Sequence, residues 1–363
     1  MKEYSFNPLL GKTLLPVDIV FHPSWWFYNE GITFDEDFFY HPGKRVESEK
    51  KMEDILYKRF GKYGLGELHG KDLPVIGAIH QAAGFLISEM LGCKIEYRED
   101  AAPQVIPANT ERPEVVVEKV FGTPAFRRLE KLLDRLETKY GYLTGDINWS
   151  GILNVALDLK GDSVFIDMVE KPEEVKRLFR KIGEVIERFT SIIMQKTHTS
   201  SISVNRNVRH LKSAVYLHSE CSHTMISVED YKRTLMQFDI EWSKKFRPFG
   251  IHYCGKDPHR FAEVFAELPY LDFLDVGWGG DILKIRQQLP GTFLNIRLSP
   301  VELIKVEEEE IKKTIEKLVR ESGNPFLTGV CCINMDHNVK DSKVIVILET
   351  VETLREKYRK EEY

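Results

Sequence analysis

No stretch of this sequence approaches the roughly 18 apolar residues that a membrane-spanning helix needs, and its opening Met1-Lys2-Glu3-Tyr4-Ser5 carries no secretory pattern. Neither a membrane partner nor export is expected. Cysteine is scarce: five among 363 residues, an odd count that argues against a disulfide scaffold. A cytoplasmic location is the default that follows, and in a reducing compartment clustered cysteines are more often metal-binding or catalytic than bridged. An excess of positive charge is missing too. The formal net charge of −5 argues against a nucleic-acid partner held by net charge. No linker rich in glycine, serine and proline divides the chain, and no internal repeat recurs. Residues 1–363 are therefore expected to form one domain with a single barrel-type core. Residues 1–70 would supply an aromatic-rich N-terminal extension and the first strand.

What the chain does have is alternation. In the C-terminal half, strand-like segments at 213–218, 248–254, 271–276, 292–296 and 326–333 are separated by helix-like segments at 228–245, 258–268, 300–321 and 344–358, with a further helix through Ile282-Leu283-Lys284-Ile285. Strands and helices alternating at this pitch predict βαβ units and a parallel sheet. Asp257-Pro258 and Ser299-Pro300 each read as an N-cap followed by proline at the first helical position. Val175, Phe179, Ile182, Ile186 and Phe189 recur at helical spacing, as do Phe126, Leu129, Leu133 and Leu136. The acidic run Glu307 to Glu310 reads as the solvated face of a helix. The first half is less regular, with strand-like segments at 15–21 and 75–79 and a proline-rich loop or hairpin at 101–113.

The chemistry concentrates in Phe249-Gly250-Ile251-His252-Tyr253-Cys254-Gly255. Residues two apart on a strand project to the same side, with Cα atoms roughly 6.5 Å apart. A tetrahedral zinc ion with bonds of about 2.0–2.3 Å can bridge that gap. Taken alone, the pair also reads as a buried histidine and a buried cysteine of a core strand. Cys331 follows 77 residues after Cys254 and ends another predicted strand. In an α/β barrel the carboxyl ends of distant strands converge at the face where chemistry occurs. One histidine and two cysteines would leave zinc a position open for substrate. Cys332 is the alternative to Cys331, because consecutive strand residues face opposite sides and only one can point inward; Cys331 is preferred.

These residues carry a resemblance. His252-Tyr253-Cys254-Gly255 with the distant Cys331 is similar to the zinc signature of the corrinoid-linked methyltransferases in the uroporphyrinogen decarboxylase superfamily, a group that includes methylcorrinoid:coenzyme M methyltransferases and methyl ether demethylase components. Gly145-Asp146-Ile147-Asn148-Trp149-Ser150-Gly151, Asp167-Met168 with Lys171-Pro172-Glu173-Glu174-Val175, Ile226-Ser227-Val228-Glu229-Asp230-Tyr231, and residues 295–303 also resemble family segments. The resemblance spans roughly residues 70–360. It implies a (β/α)8 barrel of the TIM type, zinc on His252, Cys254 and Cys331, and a methyl group moved between a small substrate and the cobalt of a separate corrinoid protein. No Asp-x-His-x-x-Gly cobalt-ligand motif occurs here, so the corrinoid would arrive on that partner.

Two departures shape the expectation. The decarboxylases of the superfamily are metal-free and hold substrate carboxylates with an arginine-rich N-terminal loop. Here that place reads His22-Pro23-Ser24-Trp25-Trp26-Phe27-Tyr28, which argues against tetrapyrrole decarboxylation. Where the family often carries an acid directly before tryptophan, this chain has Gly277-Trp278, which leaves the fourth zinc position to Asp275 or to water. Nine aromatic residues between Phe21 and Tyr40 read either as a packed lid or as a pocket for an aryl methyl ether or a quaternary methylammonium group. Substrate contacts are expected from Trp25, Trp26, Tyr28, Asn148 and Trp278. The cluster His218, Glu220, Cys221 and His223 ranks below the first as a metal site. Its Glu220, with Asp275, is the expected acid/base or substrate-orienting group. A metal-free decarboxylase and a non-catalytic zinc-binding barrel are the rival readings.

Overall fold

Six short segments rich in aliphatic and aromatic residues form one parallel sheet: β1 (Val17–Phe21), β4 (Tyr216–Ser219), β5 (Phe249–His252), β6 (Phe273–Val276), β7 (Phe293–Leu298) and β8 (Thr328–Met335), in the order β1-β8-β7-β6-β5-β4. β2 (Lys94–Glu96) and β3 (Gln104–Ile106) form a separate antiparallel hairpin, of which β3 alone falls in the proline-rich stretch 101–113. The computed structural model describes residues 13–68, 72–74, 84–144, 150–198 and 215–361. The strand expected over 75–79 lies outside them, as does Asn148. Nearly every residue of the six strands is buried, as a parallel sheet covered on both faces requires. The whole is an α/β arrangement of the barrel-like kind, with helices joining parallel strands. No helix among the described residues is long and apolar enough to cross a membrane.

Most expected helices form, with breaks that have local causes, whereas the one expected over 258–268 is a 3-10 turn, Pro258–Phe261, and a four-residue helix, Ala262–Phe265. The stripe Val175, Phe179, Ile182, Ile186 and Phe189 is the buried face of a helix over Pro172–Thr197. Burying each such phenylalanine is worth about 1.5–3 kcal/mol. The expected helix 228–245 is two helices, Val228–Thr234 and Met236–Lys245. At the break, the Thr234 hydroxyl donates to the Asp230 carbonyl at 2.6 Å, a back-bond that bends helices. The expected helix 300–321 divides into Pro300–Lys305 and Glu308–Ser322. Lys343 donates to the carbonyls of Leu303 and Ile304 and so caps the first piece. The acidic run is exposed and opens the second piece, where negative charge favours a helix N-terminus. Asp257 is not the capping side chain that its place before Pro258 predicts. Its carboxylate instead accepts from the Tyr253 hydroxyl at 2.8 Å and pairs with Arg260 at 2.9 Å.

Strand register lays out a polar layer inside this apolar frame. His252 pairs with Asp275, Asp275 with Asn295, and Asn295 with Gly329. Two residues further on, Arg297 pairs with Cys331, which also pairs with Asp18. Residues two apart share a face, so His252, Asp275, Asn295, Arg297 and Cys331 converge on one side at the strands' carboxyl ends.

The opposite edge is closed by Arg286. Its guanidinium donates to the carbonyls of Ser322, Leu289, Thr292 and Leu327, which lie at the entries to β7 and β8. Replacing it with methionine keeps the apolar stem but strands those carbonyls. Arg286→Met should therefore cost roughly 3 kcal/mol or more, read as a lower denaturant midpoint in equilibrium unfolding. A variant as stable as the wild type would refute this closure.

Candidate metal centre

The centre begins with one ring. His252 is the last residue of β5, and its Nδ1 hydrogen-bonds the carboxylate of Asp275 on the neighbouring strand. Asp275 is steadied in turn by Asn295 Nδ2, which donates to it at 3.1 Å. A carboxylate on one nitrogen fixes the tautomer and orientation of a histidine and leaves the other nitrogen for a ligand. That other nitrogen, Nε2, lies 2.8 Å from Cys254 Sγ.

Cys254 sits two residues past the end of β5, and its thiol lies 2.7 Å from that of Cys221. Cys221 opens the 3-10 turn Cys221–Met225 directly after β4, the strand beside β5. The ligand atoms of Cys221, His252 and Cys254 all lie within 4.8 Å of one another. Bonds of about 2.0–2.3 Å to a tetrahedral ion place ligand atoms about 3.3–3.8 Å apart. Spreading the two thiols and the ring by about an ångström would therefore seat zinc. Two thiolates and an imidazole are donors that suit it.

Charge is distributed unevenly across the three ligands. The hydrogen bond from Cys221 is the main influence holding the Cys254 thiol well below its ordinary range, against burial and with help from His252. The same bond, with burial, pushes Cys221 well above its own. Burial opposes protonation of His252, but Cys254 and Asp275 outweigh it and raise the ring to about 9. Cys254 is thus the favoured thiolate of the group, and zinc binding would release the protons held by Cys221 and His252.

The other expected residues fall as follows. Cys331 is fully buried on β8 but is not in this group; Asn295 Nδ2 donates to its sulfur at 3.2 Å, and burial raises its thiol well above the ordinary value. Cys332 belongs to the main hydrophobic core. Asp275 acts on His252. Glu220 is fully buried and accepts from the backbone N–H groups of Leu153, Asn154 and Ser222, which anchors the start of the helix Ile152–Lys160. Trp25 and Trp26 are 1% and 3% exposed and pack edge-on to each other and against Phe21, inside the core. Tyr28 is exposed, its ring against His337 and its hydroxyl on Asp100. The half-buried Trp278 lies under the Arg297 guanidinium at 5.6 Å.

Two contributors escape a reading of the chain as text. Arg297 is 5% exposed and donates to the Tyr253 carbonyl at 2.9 Å, with the His252 ring nitrogens at 3.4 and 3.5 Å. It faces Asp275, Cys254 and Cys331. The available signal was parity: position 297 has the strand face of Asn295, though no motif marks it. Cys221 was visible only as part of a second cluster. Its membership in the first follows from β4 lying next to β5 in the sheet.

Beside the centre lies a cavity of about 390 Å3, reached by Cys221 and lined by His22, Pro23, Asn154, Leu157 and Asp158 among others. Neither Trp25, Trp26 nor Tyr28 is among its described lining residues.

No family model matches the chain, and no curated protein matches it. Among solved structures, a methyltransferase from Methanosarcina mazei superposes with a TM-score of 0.65, covering 96% of this chain and 96% of its own at 12% identity. A B12-independent methionine synthase from Shewanella sp. W3-18-1, in complex with selenomethionine, gives a TM-score of 0.49 at 11% identity, covering 98% of this chain and 99% of its own. The first likeness establishes a shared fold over nearly the full length of both chains.

Two expectations follow from the geometry. A Cβ added at Gly277 would lie 1.8 Å from the carbonyl oxygen of Gly255, the residue after Cys254. Gly277→Ala must therefore move the turn that carries Cys254. It should cost roughly 3 kcal/mol, measured by denaturation, and an unchanged midpoint would refute the close approach. His218 Nδ1 donates to the Asp239 carboxylate at 2.7 Å. Burial opposes its charging, but Asp239 and Glu220 prevail and raise it from near 6.5 to about 9. A raised pKa contributes stability that is complete below the unfolded value and is lost as pH climbs through the folded one. Wild-type stability should thus fall more steeply between pH 6.5 and 9 than that of Asp239→Asn. Parallel slopes in denaturant titrations at the two ends would contradict this.

Proposed function

We propose that this protein is a zinc-dependent methyltransferase acting at the mouth of a (β/α)8 barrel, moving a methyl group between a small substrate and the cobalt of a separate corrinoid protein. The observation that carries the reading is the convergence of Cys221, His252 and Cys254 at the carboxyl edge of the sheet. The shared fold with a methyltransferase supports it. The ligand set is His252, Cys254 and Cys221, with Asp275 orienting the ring. Cys331, which the sequence put in the third place, would stand by as a thiol beside Arg297. The reading keeps the chain as one domain working in the cytoplasm.

Bound there, zinc would act as a Lewis acid on the heteroatom that carries the methyl group, or lower the pKa of a thiol acceptor. In the demethylating direction the methyl carbon leaves its heteroatom, which keeps the bonding pair, and is taken up by the electron pair of reduced cobalt. In the reverse direction the thiol sulfur supplies the pair and cobalt retains its own. Residues of this chain hold the reacting centre: Asp275 and Asn295 fix His252, and the Gly255–Gly277 contact fixes Cys254. The anchored Glu220 sets the helix that forms one cavity wall.

Metal content of the purified protein and of single cysteine variants tests this. Stoichiometric zinc is expected in the wild type and in Cys331→Ser, with loss of metal in Cys254→Ser and Cys221→Ser. A wild type free of zinc would overturn the reading, and metal lost in Cys254→Ser and Cys331→Ser but kept in Cys221→Ser would restore the ligand set expected from sequence. With zinc established, absorbance of the corrinoid partner during incubation with methyl donors, against thiols, distinguishes the directions.

A further inference from the structure

The cavity beside Cys221 has a sign. Its lining comes from the turn after β1 (His22, Pro23), one face of the helix Ile152–Lys160 (Asn154, Leu157, Asp158) and the turn after β4 (Cys221, Ser222), with residues of the β2–β3 hairpin closing one side. Among the described lining residues there is no lysine and no arginine, and Asp158 is the one acidic side chain. His22 does not balance it, since burial is the main influence that lowers its ring pKa.

Most of the other polar groups are already engaged. The Asn154 carbonyl oxygen accepts from Ser222 at both its N–H, 3.0 Å, and its hydroxyl, 2.5 Å, while the Asn154 amide donates to the Ser219 carbonyl at 3.1 Å. The Ser150 hydroxyl donates to the Gly84 carbonyl at 2.8 Å. Asp158 is different. Its carboxylate accepts a single described hydrogen bond, from the Ser88 hydroxyl at 2.6 Å, where an ionised carboxylate offers about four acceptor sites. Burial, with the negative charge of Glu220 nearby, raises it to about 6, so it is largely ionised at neutral pH. An ionised carboxylate with no cation among the cavity's described lining residues is an incomplete pair, and a ligand of positive charge completes it. Pro23, Pro103, Val105 and Leu157 supply apolar surface for alkyl groups around such a charge.

We propose that this cavity binds small alkylammonium compounds, with the cationic nitrogen beside Asp158 and the methyl groups toward Cys221, and that it rejects sulfonates and carboxylates. The assignment rests on the metal-centre reading for calling the bound molecule a methyl donor, while its charge preference stands on the cavity alone. It replaces the aromatic stretch as the source of ammonium recognition, because Trp25 and Trp26 lie inside the core. Asp158 is a specificity-determining residue in this scheme.

Three probes decide it: choline, its uncharged isostere 3,3-dimethyl-1-butanol, and the thiol-free anion 3,3-dimethylbutanoate. Binding to the full chain is measured by calorimetry, with and without added zinc, in the wild type and in Asp158→Asn. Choline should bind the wild type about tenfold or more tighter than the isostere, and the anion should bind weakest. In Asp158→Asn the difference between choline and the isostere should collapse with zinc content unchanged. Equal binding of choline and the isostere, tighter binding of the anion, or an undiminished preference in the variant would each overturn the proposal. The wild-type comparison stands by itself if the variant does not fold. A choline preference in a protein that holds no zinc would sink the metal reading and leave the cavity assignment standing; zinc with no preference would do the reverse.

Discussion

His252 and Asp275 face one another because β5 and β6 pair in parallel register, and the rest of the centre hangs on that contact. Both side chains are fully buried, so neither can be left without the other: an unpaired charge in the interior costs more than the pair returns. A buried ion pair of this kind is weak evidence for stability and better understood as orientation. It points one ring nitrogen at Asp275 and so turns the other toward Cys254. Asn295 then holds the carboxylate and reaches Cys331, extending one hydrogen-bonded line across four neighbouring strands.

The surrounding frame serves that line from both ends. At the carboxyl edge, Gly255 and Gly277 come close enough that no side chain fits between them, which leaves the turn bearing Cys254 little freedom. Cys221 is held by another device. Its neighbour Glu220 gathers the N–H groups at the start of the helix Ile152–Lys160, and Asn154 of that helix binds Ser222 in return. The same helix presents Asp158 to the cavity. The candidate metal ligand Cys221, the cavity wall and the proposed charge preference thus all depend on one turn docked onto one helix.

The aromatic stretch illustrates how composition misleads without packing. Nine rings between Phe21 and Tyr40 suggest a flat pocket, yet Phe34, Phe38 and Phe39 pack on one another and Trp25 on Phe21 and Trp26, all of them buried. Rings are the largest apolar groups available, and a core takes them first. Glu220 was marked for its place at a strand end, and it is indeed there. Its oxygens are occupied by backbone donors, which no pattern of residue types could reveal. Arg297 carried no motif at all, although strand parity placed it on the right face.

Periodicity and spacing in the sequence determined the alternation of parallel strands and helices, and the placing of His252 and Cys254 at a strand's end. Those features depend on local geometry: residues two apart on a strand share a side, and apolar residues three and four apart share a helix face. Which thiol completes the group was decided by tertiary structure alone. Cys221 follows β4 and Cys331 lies within β8, and the chain as a string places neither nearer to Cys254. In the folded sheet β4 lies beside β5, while two strands and the Arg297 side chain stand between β5 and Cys331 on β8. Ligand atoms must meet within a few ångströms, so adjacency in the sheet decides, and adjacency is a property of the whole fold.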